Sequence, residues 1–380
     1  MKIPNRVGKY IRQPGGFRAF IPEPLPPRPP LKMGDALFLL HSQADQALAR
    51  LDGLASTLPN PNLFVYMYVR KEAVLSSQIE GTQSSLDDLL KYESKVTRKD
   101  SPYDVGEVSN HVKAMNYGLE RLKSLPLSLR LIREIHEKLM ENVRGGNKTP
   151  GEFRHTQNWI GPSDCTLEDA MFVPPPVPEM QRALDQFEKF LHQPGPIPVL
   201  LQCGLIHSQF ETIHPFLDGN GRIGRLLMTF ILCQKEVLRY PLLYLSHYFK
   251  KHKQEYYDLL MAVRNEGDWE KWIEFFLKGV IEVSRQAQET AQAIIKFEKE
   301  RRDFLIQKIG SSSSAVNLWS RLFDHPIINS QKVQELLGCS QATAIKCLNQ
   351  FTDLKILEEI TGGQRYRWYR FSPFLNLFKT

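Results

Sequence analysis

One unbroken string holds most of the chemistry legible in this chain of 380 residues: His214-Pro215-Phe216-Leu217-Asp218-Gly219-Asn220-Gly221-Arg222-Ile223-Gly224-Arg225. An imidazole has an unperturbed pKa close to neutrality, so His214 is suited to take a proton from a hydroxyl. Asp218 offers a lone carboxylate ahead of a basic cluster. Beside phosphate such a group usually carries Mg²⁺, an ion that prefers hard oxygen donors. Gly219 and Gly221 bracket Asn220, and glycine permits positive φ and close approach of the backbone to a ligand. A helix opening here presents unpaired N–H groups and the positive end of its dipole, a ready site for phosphate. Arg222 and Arg225 fall on one side of that helix, and their planar forks suit phosphate oxygens. A lone histidine is most often a packed core residue, and a single Gly-x-Gly most often a turn. Base, carboxylate, amide nest and two guanidinium groups in one ordered string are instead the parts of phosphoryl-type transfer.

Two apolar, helix-like runs must position this loop, over 199–210 before it and 226–233 after it. A polar connection between two buried helices is a natural place for chemistry. Hydrophobic residues make up 42% of the chain, enough for ordinary cores, and the length suggests two or three domains. The formal net charge of +7 is mild and suits an ATP binder, a nucleic-acid binder or neither. Cys165, Cys203, Cys233, Cys339 and Cys347 form no Cys-x-x-Cys pair, so a reduced, cytoplasmic protein without a zinc site is expected. Residues 1–10 lack the apolar segment of a signal peptide, and no run approaches the length that spans a bilayer, so no membrane partner is expected.

The string matches, at every defined position, the signature HxFx(D/E)GNGRxxR of Fic-domain proteins, and on those residues the chain resembles that family. The resemblance implies an AMP-transferase: ATP and a protein hydroxyl give an AMP-modified side chain and pyrophosphate. It implies His214 as the base for a Ser, Thr or Tyr hydroxyl of a target protein, or of the chain itself. It implies Asp218 as the ligand of Mg²⁺ on the α- and β-phosphates. Gly219, Asn220 and Gly221 would form the anion hole, with Asn220 touching phosphate and Pro215, Phe216 and Leu217 in the same ATP-binding loop. Arg222 and Arg225 would hold the outer phosphates and stabilise the leaving pyrophosphate.

The rest of the chain is read around that core. Residues 1–35 are a proline-rich arm; proline at that density excludes helix and favours an extended conformation, expected to wrap its own domain. A helical region over 36–100 follows, with one helix over 37–58, a break at Pro59-Asn60-Pro61-Asn62, and a second helix over 63–92. Within the second, Ser76 and Glu80 share a face. By themselves they form an ordinary amphipathic segment. Beside the signature, Ser76 to Gly81 is similar to the family's inhibitory motif (S/T)xxxE(G/N). That implies Glu80 pairing with Arg225 and withholding its guanidinium from the γ-phosphate; in a bifunctional enzyme the same glutamate would position water for AMP removal.

A catalytic core is expected over 101–280. It opens with two helices inside 106–141, where His136 reads as a packed residue. Aromatic and β-branched residues over 151–161 predict a short hairpin with a return strand over 170–173. In the family such a hairpin is a flap that holds the target by strand addition, which places Ile160 and Gly161 near the nucleotide. Tyr256, Tyr257 and Asn265 fall where the family surrounds adenine and ribose. A connector over 281–314 reads as a long mixed-charge helix, suited to a homodimer contact, ended by a flexible serine run. Residues 315–380 resemble a winged helix-turn-helix: a helix over 331–337, a second over 341–351 capped by Ser340, and a wing over 354–370. The second helix offers Lys346 as its one cation, which favours a protein or dimer contact over DNA. The expected fold class is therefore mostly α: a Fic-type helical core with a β-hairpin flap, then a C-terminal winged helix domain. Two rivals remain: a DNA-binding regulator that uses the loop to sense ATP, and the same fold moving UMP or phosphocholine.

Overall fold

A computed structural model describes residues 6–56, 58, 61–96, 103–143, 148–162, 164–310, 313–363 and 365–378. The expected breaks at Pro59, Asn60, Ser311 and Ser312, the first five residues of the arm and the first residue of the expected core, Ser101, lie outside them. The chain opens with a hairpin, β1 (Lys9–Arg12) and β2 (Arg18–Ile21), in which Tyr10 stands opposite Phe20. Eleven helices follow: α1 (Asp35–Ser56), α2 (Pro61–Ile79), α3 (Leu86–Glu93), α4 (Val105–Arg121), α5 (Leu129–Leu139), α6 (Val177–His192), α7 (Val199–Ile213), α8 (Asn220–Gln234), α9 (Ser246–Lys251), α10 (Lys253–Glu266) and α11 (Trp269–Ile309). The C-terminal part adds α12 (Ser313–Leu322), β3 (Ile327–Asn329), α13 (Ser330–Leu337), α14 (Gln341–Asp353), β4 (Glu358–Glu359), β5 (Trp368–Arg370) and α15 (Ser372–Leu375).

The centre is the pair α7 and α8. Every residue of α7 from Leu200 to Ile213 is buried, and so is nearly all of α8. A helix that is apolar all round must be core, and a loop between two such helices is held from both ends. Close packing leaves no room for a side chain at several glycines: a Cβ on Gly204 would lie 2.8 Å from Ile273 Cδ1, and one on Gly118 2.4 Å from the Phe230 ring.

Three sequence readings are corrected by local chemistry. The single helix expected over 63–92 is two. Gly81 takes φ +102°, which ends α2, and Ser85 and Asp88 form a capping box that starts α3 afresh. The result is a short turn that carries Glu80 off the helix end. The connector does not begin at 281: α11 passes through that point unbroken, because its one internal glycine, Gly279, is filled by the Tyr248 ring rather than bent. The flap hairpin is reduced to a single antiparallel bridge, Ile160 with Phe172. Beyond it Val173 turns its carbonyl to the N–H of Phe20 in β2, and Pro174, Pro175 and Pro176 have no N–H to continue a ladder.

In the C-terminal part, β5 lies between β3 and β4, all antiparallel. β3 is three residues long and too short to show as a pattern. Ser340 caps α14 by accepting the Thr343 N–H, and Gly338 closes α13 at φ +59°. This part packs on the rest through apolar rings: Phe297 of α11 meets Trp319 and Phe371, and Phe378 meets Tyr68 of α2. Arg370 Nε lies 2.9 Å from Asp87 Oδ1 in α3. All five cysteines are free thiols, and among the described residues no helix is long and apolar enough to cross a membrane.

Candidate active site

His214 is the C-cap of α7 and stands in the left-handed region, φ 49° and ψ 60°. A histidine adopts that conformation only when its surroundings hold it there. Its carbonyl accepts from Arg154 Nε at 3.1 Å and from Asn158 Nδ2 at 3.2 Å. The next two residues are gripped in turn. Pro215 O accepts the Arg154 N–H at 2.9 Å, and Phe216 O accepts from Asn158 Nδ2 at 2.9 Å. Asn220 closes the loop on itself, with Oδ1 taking the Phe216 N–H and Nδ2 donating to Phe216 O, both at 2.8 Å. Both ends of the amide expected on phosphate are thus spent on Phe216, and Asn220 shapes the loop.

Beneath the loop His136 stacks on Phe216 at 3.7 Å. Its Nδ1 accepts the Gly151 N–H at 2.9 Å, which leaves Nε2 to carry the proton toward Asp218 O at 3.0 Å. Burial pushes its pKa down to about 4, so it is a neutral strut. His214 is also neutral. Burial first, then the nearby Arg264 and Arg154 charges, push its ring down to about 3, and Nδ1 is buried without a hydrogen-bond partner among the described residues.

The loop lines one face of a cleft of about 590 Å³ whose wall includes His214, Asp218, Gly219, Gly221 and Arg222. Gly219 starts α8 at φ +78°, so the amides behind it open into the cleft. Asp218 Oδ1 accepts the Gly219 N–H at 2.6 Å, and Oδ2 lies 3.6 Å from Lys148 Nζ. Arg222 is buried; its Nη1 is 3.4 Å from Glu107 Oε2 and its Nη2 3.7 Å from Asp218 Oδ1.

At the far end Arg225 is buried, with Nε and Nη2 both engaged. Nε donates to Ser76 Oγ at 2.8 Å, and Nη2 donates to Ser76 O at 3.0 Å and to Glu80 Oε1 at 2.6 Å. Glu80 comes so close to the start of α8 that a Cβ on Gly221 would lie 2.2 Å from its Oε1. Ser76, Glu80 and Arg225 are therefore brought together, although 149 residues separate the first from the last.

The expected adenine-side residues divide. Tyr257 is 38% exposed, and burial and the Glu80 carboxylate raise its phenol pKa, so its ring reaches the surface beside Glu80. Tyr256 is core: it is buried, its hydroxyl lies 2.8 Å from His207 Nε2, and it stacks on Phe249. Asn265 is exposed and accepts the Tyr10 hydroxyl at 3.1 Å, tied to the N-terminal hairpin. Ile160 forms the flap bridge, and Gly161 sits where a Cβ would be 2.4 Å from Cys165 Sγ.

Several site residues carried no signal as such. Arg154 and Asn158 lie inside the flap sequence but act on the loop backbone, and Arg264 neighbours Asn265. Lys148 and Glu107 are ordinary surface types in their own segments. Only a fold places them against the cleft.

The chain is similar to known proteins in both sequence and fold. Residues 38–120 match the Fic/DOC family N-terminal region, and residues 126–232 match the Fic/DOC family itself. Together the matches take in half of the chain, which belongs to the Fic/DOC family. A probable protein adenylyltransferase of Aquifex aeolicus is 29% identical over 175 residues, 46% of this chain and 51% of that one. The protein adenylyltransferase Fic of Drosophila grimshawi is 30% identical over 165 residues, 43% of this chain and 30% of that one. The chain thus spans about half or less of the length of these relatives. A Fic family protein from Desulfovibrio desulfuricans G20 shares the fold over 90% of this chain and 97% of its own, at a TM-score of 0.60 and 20% identity.

Proposed function

We propose that the chain transfers AMP from Mg·ATP to a hydroxyl side chain of a protein. The single observation that carries the reading is the cleft itself, where a neutral imidazole, a half-exposed carboxylate, a helix N-terminus and Arg222 face one space. The target oxygen bonds to the α-phosphorus, the bond from that phosphorus to the bridging oxygen breaks, and pyrophosphate leaves. The hydroxyl proton passes to the His214 ring. Amides at the start of α8 and the Arg222 fork take up the phosphate charge. Asp218 fits Mg²⁺: it presents a hard oxygen at the cleft, with Lys148 3.6 Å away and Arg222 3.7 Å away as its cationic neighbours among the described residues. It would hold the ion together with the nucleotide's own phosphates, and the ion would supply positive charge to them.

The Glu80–Arg225 contact supports autoinhibition. A guanidinium already bonded to a carboxylate is not free for a γ-phosphate, and release needs Glu80 to leave. The exposed face of α14 presents Gln341, Ile345, Lys346 and Asn349, with Ile345 42% exposed, and Arg370 is held by Asp87. This supports a winged helix that meets protein, including a second copy of the chain, over one that reads DNA. The free thiols suit a reducing, cytoplasmic setting.

The test is incubation of the Glu80→Gly protein with ATP labelled at the α-phosphate and a cell lysate, with modified peptides mapped by mass spectrometry. Labelled protein that disappears in His214→Ala is expected. Label from γ-phosphate, from UTP or from CDP-choline in its place would redirect the reading to another transferred group. Steep salt-dependent binding to duplex DNA with His214→Ala tolerated would favour a regulator.

A further inference from the structure

Two buried guanidinium groups flank His214, and neither forms an ion pair among the described residues. Arg154 donates only to carbonyls: His214 O, Thr156 O at 3.1 Å and Pro175 O at 2.5 Å. Arg264 donates to Glu211 O at 3.0 Å and Thr212 Oγ1 at 3.1 Å, caps the last turn of α7, and lies 4.0 Å over the Phe172 ring of the flap. Burying a charge without an acidic partner is costly, and burial drags both pKa values down to about 10. A purely structural grip on a carbonyl needs no full charge; an amide such as Asn158 already makes one. The charge has to matter to something nearby, and the titratable group they share is the His214 ring.

We propose that Arg154 and Arg264 are positioning residues for the base: they rivet His214 and the flap into one rigid piece and set positive charge beside the ring. This rests on the function proposed above. A bound triphosphate brings negative charge to the cleft, and an anion beside an imidazole favours its protonated form. A protonated ring cannot accept the target's proton. The two guanidinium groups offset that effect in advance, so the base stays free at neutral pH when the nucleotide arrives. The other groups around the ring are few. Asp218, from the loop, and the Glu211 carbonyl, from α7, act in the opposite direction, toward protonation, and the Glu211 carboxylate, which burial raises to about 7, offsets part of the Arg264 charge. Arg154 also fixes the flap, because the guanidinium that grips His214 O holds Pro175 O at the flap's return end. The platform for the target and the base for its hydroxyl therefore move together.

The experiment has two readouts on full-length protein in the Glu80→Gly background. The first is the pH dependence of kcat for AMP transfer. Arg154→Gln is expected to lower kcat about tenfold or more, to leave KM for ATP within about threefold, and to move the acid limb up by about 1 pH unit. Arg154→Lys keeps the charge and should restore the limb while recovering only part of kcat. Asn158→Ala, which removes a grip without a charge, should lower kcat with the limb in place. The second readout needs no activity: NMR titration of the His214 ring in nucleotide-free protein, assigned by its loss in His214→Ala. Arg154→Gln and Arg264→Gln should each raise the ring pKa. If Arg154→Gln does not fold, Arg264→Gln decides. An unmoved limb and an unmoved ring pKa in a protein that melts like its parent would overturn the proposal. A raised ring pKa in a protein that transfers no AMP would instead remove the proposed function and leave the positioning role standing.

Discussion

Arg222 and Arg225, on the phosphate side of the cleft, meet carboxylates: Glu107 at 3.4 Å and Glu80 at 2.6 Å. Arg154 and Arg264, on the His214 side, meet carbonyls and a hydroxyl. All four are buried, and Arg225 also donates to the Ser76 hydroxyl and carbonyl, but among the described residues only the first pair has a carboxylate within ion-pair distance, and that divides them by task. A carboxylate and a phosphate offer the same kind of anionic oxygen to a guanidinium fork, so an acid-paired arginine can exchange one for the other. A buried carbonyl that loses its donor is orphaned, so a carbonyl-bonded arginine cannot let go without cost. The first pair is built to be handed over and the second to stay put.

Four tests press on this division. His214→Ala should reduce AMP transfer by about 10³-fold, the loss of a general base, with the fold intact by circular dichroism; retained transfer would leave both pairs without a centre to serve. Arg154→Met should cost about 3 kcal/mol in urea unfolding, since it strips Thr156 O and Pro175 O of their donor and leaves His214 O to Asn158 alone, whereas Arg222→Met should cost about 1 kcal/mol, because its carboxylate contacts are long, 3.4 Å to Glu107 and 3.7 Å to Asp218. Equal costs would erase the distinction between fixed and exchangeable arginines. Glu80→Gly should raise transfer about 30-fold, the worth of one charge-assisted hydrogen bond of about 2 kcal/mol, measured as initial rate of label incorporation. An unchanged or lower rate removes the brake. Glu107→Gln should raise it only about twofold, because its contact is longer and Arg222 also meets Asp218.

The acid stability profile follows from the neutral histidines. His136, His207 and His214 have folded pKa values of about 4, 3 and 3, below the unfolded value of 6.5. For a base with a depressed folded pKa, the unfolded chain binds more protons below pH 6.5, so stability falls as pH falls. Glu72 and Glu211 oppose this, since burial raises both to about 7 and folding favours their protonation as pH drops from 7 to 4.5. Burial lowers His111 as well, and Glu134, held down to about 2 by Arg121, loses its contribution below pH 4.5, so the melting temperature should fall modestly between pH 6.5 and 4.5 and steeply below. A steady decline from pH 6.5 would mean that the two glutamates are ionised in the folded protein.

How much was legible in the sequence depended on contiguity. The His214 to Arg225 loop carries its chemistry in one string, and the apolar runs around it could hardly be anything but core helices. Ser76 and Glu80 look like surface residues until a family motif gives them a partner, because their contact with Arg225 spans the chain. Arg154 and Arg264 gave no signal, because their partners are backbone atoms up to 60 residues away and a carbonyl has no sequence identity. The helix expected over 63–92 was misread for a local reason. Its apolar spacing continues across Gly81, and only the positive φ there and the Ser85–Asp88 box show the stop.

The opening hairpin bears on any attempt to shorten the protein. Phe20 lends its amide to Val173, Tyr10 lends its hydroxyl to Asn265, and Phe20 lays its ring 5.7 Å from Phe172. The Ile160–Phe172 bridge is thus backed by a hairpin that lies about 150 residues earlier in the sequence. A recombinant version trimmed back to the first helix would keep every residue of the signature and lose the hydrogen bond and the ring that brace Val173 and Phe172, so such a fragment is a poor stand-in for the intact chain in any test of what binds beside that bridge.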